Sequence, residues 1–175
     1  MSHKIRPQYE QLGVEGYYQT HGATYQNPHE KQIRVLLEQL VPCLDLSNVL
    51  DLACGSGEVS QKILELGGRV SGIDPFTAQG YAKRTGLIAE PYSFEEVAGG
   101  ALENRQYSLI VCSFALHLAP VSRLPLLIFA LANISPKLLI ISPHKRPILK
   151  PQWGFLLEVE TSFERVKARL FASSF

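Results

Sequence analysis

The sequence predicts an α/β fold with a mostly parallel sheet, and two observations support this prediction. Apolar runs at residues 48–52, 107–113 and 138–142 have the length and continuous hydrophobicity of strands that are buried on both faces. Segments with helical spacing of apolar residues alternate with these runs, as in strands that are joined by crossover helices. We therefore expect three layers, with helices on both faces of the sheet.

Size and composition indicate an ordinary globular domain. The chain has 175 residues, a net charge of +1 and 46% hydrophobic residues, which suits one domain with a sizeable core. The charge shows no basic surplus of the kind that indicates nucleic-acid binding, although it does not exclude such binding.

Cysteine usage and hydropathy bear on the compartment. Cys43, Cys54 and Cys112 form no CxxC pair, so we expect free thiols in a reducing, cytoplasmic setting. We expect no signal peptide, because no N-terminal apolar segment follows a basic start. We expect no membrane span, because the longest apolar stretch, residues 124–134, contains Pro125 and is too short. The five histidines show no ligand spacing, so no metal site is expected.

The first 26 residues form a segment of their own, and residues 27–175 form the domain. The segment is interrupted by glycines and rich in tyrosine. Either it is a lid over a planar ligand, or it is an arm packed on the domain by its rings. The tyrosines are Tyr9, Tyr17, Tyr18 and Tyr25.

The domain is predicted to open with a helix. Asn27-Pro28 is typical of a helix start, with a capping side chain followed by proline at the first helical position. Pro42 limits the helix. The residues that form its buried stripe are Ile33, Leu36, Leu37 and Leu40.

A strand, a glycine loop, a helix and a second strand follow. The strand of residues 48–52 leads into Cys54-Gly55-Ser56-Gly57, where glycine permits a sharp turn and close approach of a ligand to the backbone. A helix begins at Glu58, and the strand of residues 69–73 ends at Asp74. An acid about 20 positions beyond the first glycine can hydrogen-bond ribose hydroxyls.

The charges around this loop favour a cationic nucleoside over a dinucleotide. Ser60 stands where the dinucleotide fingerprint has a third glycine or alanine. Asp51 beneath the loop and Glu58 at the helix start would repel a pyrophosphate. S-adenosylmethionine has no phosphate and carries a sulfonium and an ammonium that an acid can pair with. A nicotinamide oxidoreductase is the alternative.

Three stretches resemble the class I S-adenosylmethionine-dependent methyltransferases. Residues 49–57 resemble the first motif of that family, Gly72-Ile73-Asp74 resembles its ribose-binding acid, and residues 107–117 resemble its fourth strand and the loop that follows. The resemblance implies a Rossmann-like three-layer sandwich. The sheet is expected to have seven mostly parallel strands with a C-terminal antiparallel hairpin.

The resemblance also implies a set of cofactor-binding residues. Its acid for the adenine amino group is not plainly present, and Glu90 and Glu95 are both open as replacements. The product would be S-adenosylhomocysteine. The expected cofactor-binding residues are Tyr25, Asp51, Ala53, Cys54, Gly55, Gly57, Asp74, Pro75, Ser93, Phe94, Ser113 and Phe114.

The middle of the chain supplies further elements. A third strand at residues 87–92 contains Pro91, which places it at an edge of the sheet. Ser93-Phe94-Glu95-Glu96 is a capping-box pattern that opens a helix to Leu102. Two more helices are expected at residues 77–84 and 122–133.

The C-terminal region departs from the family. Prolines at positions 143, 147 and 151 forbid the helix that would follow the strand of residues 138–142, so a loop is expected. A hairpin of residues 155–160 and 165–173 follows. One helix covers one face of that strand, so either this loop or a second copy of the chain must shield the other face. The loop residues expected to fold back are Ile148, Trp153 and Phe155.

Two histidines are candidates for the chemistry. His117 follows the fourth strand and His144 follows the fifth, so both reach the strand ends where acceptors bind. His144-Lys145-Arg146 could also hold an anionic acceptor. The predicted function is methyl transfer to an unidentified acceptor, more readily a small molecule, by a monomer or homodimer. The alternatives are a non-catalytic cofactor-binding subunit and an RNA or protein methyltransferase.

Overall fold

The structure is a computed structural model that describes residues 27–175. Expectations for the first 26 residues, including the lid and Tyr25, lie outside this described part. The helices are α1 (Glu30–Leu40), α2 (Glu58–Glu65), α3 (Ala78–Thr85), α4 (Phe94–Ala98) and α5 (Leu124–Ile134). The strands are β1 (Val49–Leu52), β2 (Val70–Ile73), β3 (Leu109–Ser113), β4 (Lys137–Ser142), β5 (Phe155–Phe163) and β6 (Val166–Ser173).

The strands form one mixed sheet in the order β2-β1-β3-β4-β6-β5. The first four strands are parallel, and β6 pairs antiparallel with both β4 and β5. The α/β class and the C-terminal hairpin are therefore confirmed. Because parallel strands end at the same edge, the segments that follow β1, β2, β3 and β4 meet there.

The described sheet has six strands, so the prediction of seven was wrong. The expected third strand is reduced to one parallel bridge between Glu90 and Ile73 at the edge of β2. Glu90 donates its N–H to the Gly72 carbonyl and accepts from the N–H of Asp74. Pro91 has no N–H, so the ladder cannot continue past this point.

Two core layers cover the two faces of the sheet. The face that carries Leu139 and Ile141 packs against α1 and α2, and the expected α1 stripe is buried there. The face that carries Leu138 and Ile140 packs against α4 and α5. The three-layer arrangement follows from this alternation, because neighbouring residues of a strand point to opposite faces.

The three prolines do exclude a helix after β4. The chain forms a loop there, with a single 3-10 turn at Pro151–Trp153. Leu149 and Phe155 are buried and Trp153 packs against the same core, whereas Ile148 is 71% exposed, against expectation. The loop covers the α5 face. The prediction that it must shield the opposite face was wrong, because α1 lies there.

Two helix boundaries differ from the prediction. α1 begins at Glu30 and not at Pro28, because Asn27 uses its side chain to accept from the N–H of His29 in a turn. α4 has the predicted capping box between Ser93 and Glu96, but it ends at Ala98. Gly99 is the C-cap, and Gly100, with a φ of 100°, ends the helix, four residues before Leu102.

Candidate cofactor cavity

An open cavity lies at the carboxyl ends of β1, β2 and β3. Asp51 and Gly57 lie outside its lining, and Tyr25 lies outside the described residues. The remaining nine expected cofactor residues line the cavity: Ala53, Cys54, Gly55, Asp74, Pro75, Ser93, Phe94, Ser113 and Phe114.

The glycine loop between β1 and α2 forms one wall of the cavity. Gly55 and Gly57 have φ of 56° and 89°, values that side-chain-bearing residues rarely adopt. A Cβ on Gly57 would lie 2.7 Å from Thr85 Cγ2, so this glycine allows α3 to approach the loop. Gly57 therefore contributes to the packing of α3 against the loop and does not line the cavity.

Asp74 lines the cavity and also fixes the glycine loop. Its Oδ2 accepts from the N–H of Gly55 at 3.1 Å, and its Oδ1 accepts from the N–H of Phe76 at 2.8 Å. Burial raises the pKa of Asp74, although its backbone hydrogen bonds oppose this shift.

Asp51 lies beneath the loop and is fully buried. Its Oδ2 accepts from the N–H and the hydroxyl of Ser60, at 3.1 and 2.7 Å, and the Ser60 hydroxyl also contacts the Tyr81 hydroxyl at 2.8 Å. Among the described residues Oδ1 has no partner. Burial raises the pKa of Asp51 well above its usual value, and the charge of Glu58 adds to the shift.

Glu58 and Asn27 line the cavity, and the expected set did not include them. Glu58 is only 4% exposed, and its Oε1 accepts from the N–H of Asn27 at 2.9 Å and from the Ser56 hydroxyl. The sequence feature that could have identified Glu58 is its position as an acidic residue directly after the glycine loop. Phe76, Ala115 and Leu118 complete the lining, and no sequence pattern singled them out.

Two of the four described non-glycine residues with positive φ lie at the cavity. Ala53 after β1 and Phe114 after β3 both have φ of 55°, in the left-handed region that disfavours residues with a Cβ. Such strain persists where the surrounding structure enforces it, and it is common at functional sites. The Phe114 ring also stacks on His29, with ring centroids 4.9 Å apart.

Neither acid considered for the adenine end reaches the cavity. Ser93 and Phe94 line it, but both carboxylate oxygens of Glu90 bind Arg105, at 2.5 and 2.8 Å. Glu95 points to Arg123, with the two groups 3.8 Å apart. Because Glu90 and Glu95 pair with these arginines, neither is available to the adenine, and sequence spacing alone does not reveal such pairing.

His117 and His144 come together at the ends of β3 and β4. Their ring centroids are 4.2 Å apart, with the planes tilted by 41°. His117 lies between Ala115 and Leu118, which line the cavity. His117 is an exposed residue. Partial loss of hydration and the neighbouring His144 nevertheless lower its pKa to about 4, so its imidazole is neutral at physiological pH.

Two of the three cysteines, Cys54 and Cys112, are buried free thiols in residues 27–175. Burial raises the pKa of Cys54 and of Cys112, so neither is a thiolate nucleophile. Among these residues no group of three or more His, Cys, Asp or Glu side chains could hold a metal ion. No helix of the described chain is long and apolar enough to cross a membrane.

Comparisons with known proteins concern the family and the fold of the chain. No family model matches the chain. It is 33% identical over 232 residues to the uncharacterized protein C17A5.05c of Schizosaccharomyces pombe, covering 98% of this chain and 92% of that protein.

Solved structures of methyltransferases superpose on nearly the whole chain. Magnesium protoporphyrin IX methyltransferase of Synechocystis, with bound S-adenosylmethionine, gives a TM-score of 0.64 at 16% identity over 97% of this chain and 95% of that one. A TehB-like S-adenosylmethionine-dependent methyltransferase of Corynebacterium glutamicum gives a TM-score of 0.63 at 12% identity, over 97% of this chain and 96% of that one. The chain therefore belongs to the same family as the S. pombe protein, and its fold is that of the class I S-adenosylmethionine-dependent methyltransferases.

Proposed function

We propose that this chain binds S-adenosylmethionine in the cavity and transfers its methyl group to a small-molecule acceptor. The observation that carries this proposal is the charge of the cavity. Asp74 and Glu58 line it and Asp51 lies below it, while none of the described residues that line it is a lysine, arginine or histidine. Buried carboxylates without a basic partner favour a cationic ligand.

The same charge disfavours the nicotinamide alternative. A pyrophosphate at the start of α2 would lie beside Glu58, and like charges in a poorly hydrated site repel strongly. S-adenosylmethionine presents a sulfonium and an ammonium instead. The Synechocystis enzyme, whose fold this chain shares, was crystallised with both S-adenosylmethionine and S-adenosylhomocysteine.

The cavity residues have distinct proposed roles. Asp74 accepts from the ribose hydroxyls, Ser93 and Phe94 contact the adenine, and the glycine loop packs against the amino-acid end. The cofactor supplies the electrophilic methyl group, so the protein contributes mainly position and exclusion of water. Ser113 and Phe114, at the end of β3, complete the proposed cofactor contacts in the same cavity.

Calorimetric titration and methyl incorporation test this function. We expect S-adenosylhomocysteine to bind with measurable heat and NAD to give none. Incubation with methyl-labelled S-adenosylmethionine and a panel of metabolites, tRNA and cell lysate should label a low-molecular-weight fraction. Labelled tRNA or protein would instead support those acceptors, and binding without any incorporation would support a non-catalytic subunit. Binding of NAD alone would refute the proposal.

The ribose contact can be tested with Asp74→Ala. Loss of the carboxylate leaves ribose hydroxyls unpaired, so S-adenosylhomocysteine binding should weaken by ~1–3 kcal/mol. Asp45→Ala is the matched control, because Asp45 is exposed and its side chain accepts from the N–H of Ser47 in another turn. Equal affinities for a folded Asp74→Ala protein and the control would show that Asp74 does not hold the ribose.

The acceptor side can be tested with His117→Asn and His144→Asn. We propose that the neutral imidazole of His117 takes the proton of an acceptor X–H while the methyl group moves to X, and that His144 orients it. Both variants should lose ~10²-fold or more in transfer rate to the acceptor found above, with unchanged cofactor affinity. Full activity of both variants would show that neither histidine takes part in the transfer.

A further inference from the structure

We infer that the methyl acceptor is a small anion, and that the loop after β4 holds its carboxylate or phosphate group. The inference rests on the proposed function, because it names the chemical class of the acceptor in the same reaction. The loop comprises residues 143–150. We call it the basic loop, because it carries His144, Lys145, Arg146 and Lys150.

The basic loop lies at the edge of the sheet where the cofactor cavity opens. It follows β4, which pairs in parallel with β3, so the carboxyl ends of the two strands lie side by side. The ring centroids of His144 and His117 are 4.2 Å apart. In the sequence His117 lies between Ala115 and Leu118, which both line the cavity. The start of the basic loop is therefore next to the cavity, on its β4 side.

The positive charge of the basic loop is not neutralised by neighbouring acids. Residues 104–157 contain six lysines and arginines and no aspartate or glutamate. The three of these cations that lie outside the basic loop each pair with a glutamate from another segment. Within the described chain, the three inside it form no ion pair: Lys145, Arg146 and Lys150. The unpaired cations of this part of the sequence are thus all in one loop.

Cations of β6 add to this charge. In the pairing of β4 with β6, Lys167 lies opposite Ser142, the last residue before the basic loop. Arg169 donates from Nη1 to the carbonyl of His144 at 3.4 Å. Among the described residues, Glu160 is the acid that pairs with Lys167 and Arg169. One carboxylate therefore faces two cations, so the end of β4 adds to the positive charge of the loop.

The backbone of the basic loop is fixed at both ends. Prolines flank His144-Lys145-Arg146 on either side and restrict the backbone. Ser142 is buried, and its hydroxyl accepts from the N–H of His144 at 3.1 Å. Leu149 is buried in the core near the other end of the loop. Because a fixed backbone loses less entropy on binding, the exposed cations of this loop are better placed to hold a ligand than those of a free surface loop.

An anion is the ligand that this arrangement favours. Lysine and arginine donate charge-assisted hydrogen bonds to carboxylates and phosphates, and a guanidinium can bind two oxygens at once. An anionic oxygen held by these cations is a poor methyl acceptor, because transfer would remove the charge that they stabilise. The anionic group therefore anchors the acceptor while a different atom takes the methyl group, and the methylated product remains an anion.

The charge of the methylated product tests this inference without prior identification of the acceptor. The full chain is incubated with methyl-labelled S-adenosylmethionine and a low-molecular-weight metabolite extract, and the mixture is applied to an anion exchanger at neutral pH. Unreacted S-adenosylmethionine is a net cation and is not retained. We expect the labelled product to be retained. A labelled product that is not retained would overturn the inference.

Two treatments of the retained product distinguish the two anionic groups. Alkaline phosphatase removes a phosphate ester, and carbodiimide-mediated amidation neutralises a carboxylate. If phosphatase abolishes retention of the label, the anchor is a phosphate. If amidation abolishes it, the anchor is a carboxylate. Either result supports the inference.

A double variant, Lys145→Gln with Arg146→Gln, tests whether the basic loop holds the anion. The transfer rate at limiting extract should fall by about tenfold or more, because two charge-assisted contacts are lost. The affinity for S-adenosylhomocysteine should not change. Added salt should slow the wild-type reaction at limiting extract more than that of the variant, because salt screens the charges that the variant lacks.

The matched control is the double variant Arg69→Gln with Lys83→Gln. Both residues are exposed and form no ion pair within the described chain. Arg69 lies before β2 and Lys83 lies in α3, so neither is part of the basic loop. The transfer rate of this control should stay within about twofold of the wild-type rate.

Proton NMR provides a second measurement that does not need methyl transfer. The imidazole Hε1 signals of His117 and His144 are recorded at constant pH in the S-adenosylhomocysteine complex, while inorganic phosphate or sodium acetate is added. We expect both signals to shift in a saturable way with at least one of these anions in wild type, and not in the Lys145→Gln, Arg146→Gln variant. If the extract yields no methylated product, the absence of such shifts in wild type would overturn the inference.

The outcomes separate this inference from the proposed function. If S-adenosylhomocysteine does not bind the wild-type protein, the proposed function fails and the inference fails with it. If it binds and the labelled product is not an anion, the inference is overturned while the cofactor site stands. Equal transfer rates for the basic-loop variant and the control variant would overturn it in the same way.

Discussion

The side chain of Asp51 shows how burial links charge to stability. Its folded-state pKa is raised by loss of hydration, so the native state binds its proton more tightly than the unfolded chain does. Its contribution to the unfolding free energy is present at low pH and is lost as the pH rises toward that raised pKa. The Ser60 hydrogen bonds reduce this loss without cancelling it.

Asp51→Asn should therefore stabilise the ligand-free protein increasingly with pH. The asparagine carbonyl can still accept from Ser60, while the buried charge is gone. The melting temperature of Asp51→Asn minus that of wild type, measured by scanning calorimetry, should be larger at pH 8 than at pH 5. A difference that does not change with pH would show that Asp51 does not titrate in this range.

At the scale of elements, the sequence predicted best where the local pattern decides the outcome. The apolar runs of β1, β3 and β4 and the capping box of α4 are local signals, and the structure contains all of them. The third strand and the cavity roles of Asn27 and Glu58 depend on contacts between distant segments. Hydrophobic periodicity carries no information about such contacts.

The loop between β4 and β5 illustrates the same limit. Its prolines predicted the missing helix, but they did not predict which face the loop would cover, because that depends on where α1 packs. Trp153 and Leu149 replace part of the helix on the α5 face, and Lys150 lies over the Trp153 ring at 5.8 Å. The loop is thus a structural element of the core.

Replacing Trp153 with alanine tests that role. Truncation of a fully buried aromatic side chain to alanine lowers the unfolding free energy by ~3–5 kcal/mol. Trp153 is only partly buried, so a smaller loss is expected. We expect Trp153→Ala to lower the unfolding free energy in urea by ~1–3 kcal/mol. Ile148→Ala, at a 71% exposed position of the same loop, should change it by less than ~0.5 kcal/mol. Equal changes in the unfolding free energy for the two variants would show that the loop is a simple connector and not part of the core.

For the whole molecule, the open question is whether a second copy completes the sheet. β5 is an edge strand, and Leu156 and Leu157 on it are 48% and 53% exposed. Two features oppose edge-to-edge pairing. A register shift between Leu157 and Val159 disturbs the strand, and Glu158 and Glu160 place charges along it, paired with Lys137 and Arg169.

We therefore predict a monomer. The loop already covers the α5 face of β4. Among the described residues of β5, pairing at this edge would bury the apolar side chains of Leu156 and Leu157, far less apolar surface than a stable interface requires. Size-exclusion chromatography with light scattering should give a mass near 19.5 kDa at micromolar concentration. A mass of twice this value would contradict the prediction. Leu157→Lys would then locate the interface, because a charge at that edge position should restore the monomer if β5 mediates pairing and leave the dimer intact if another surface does.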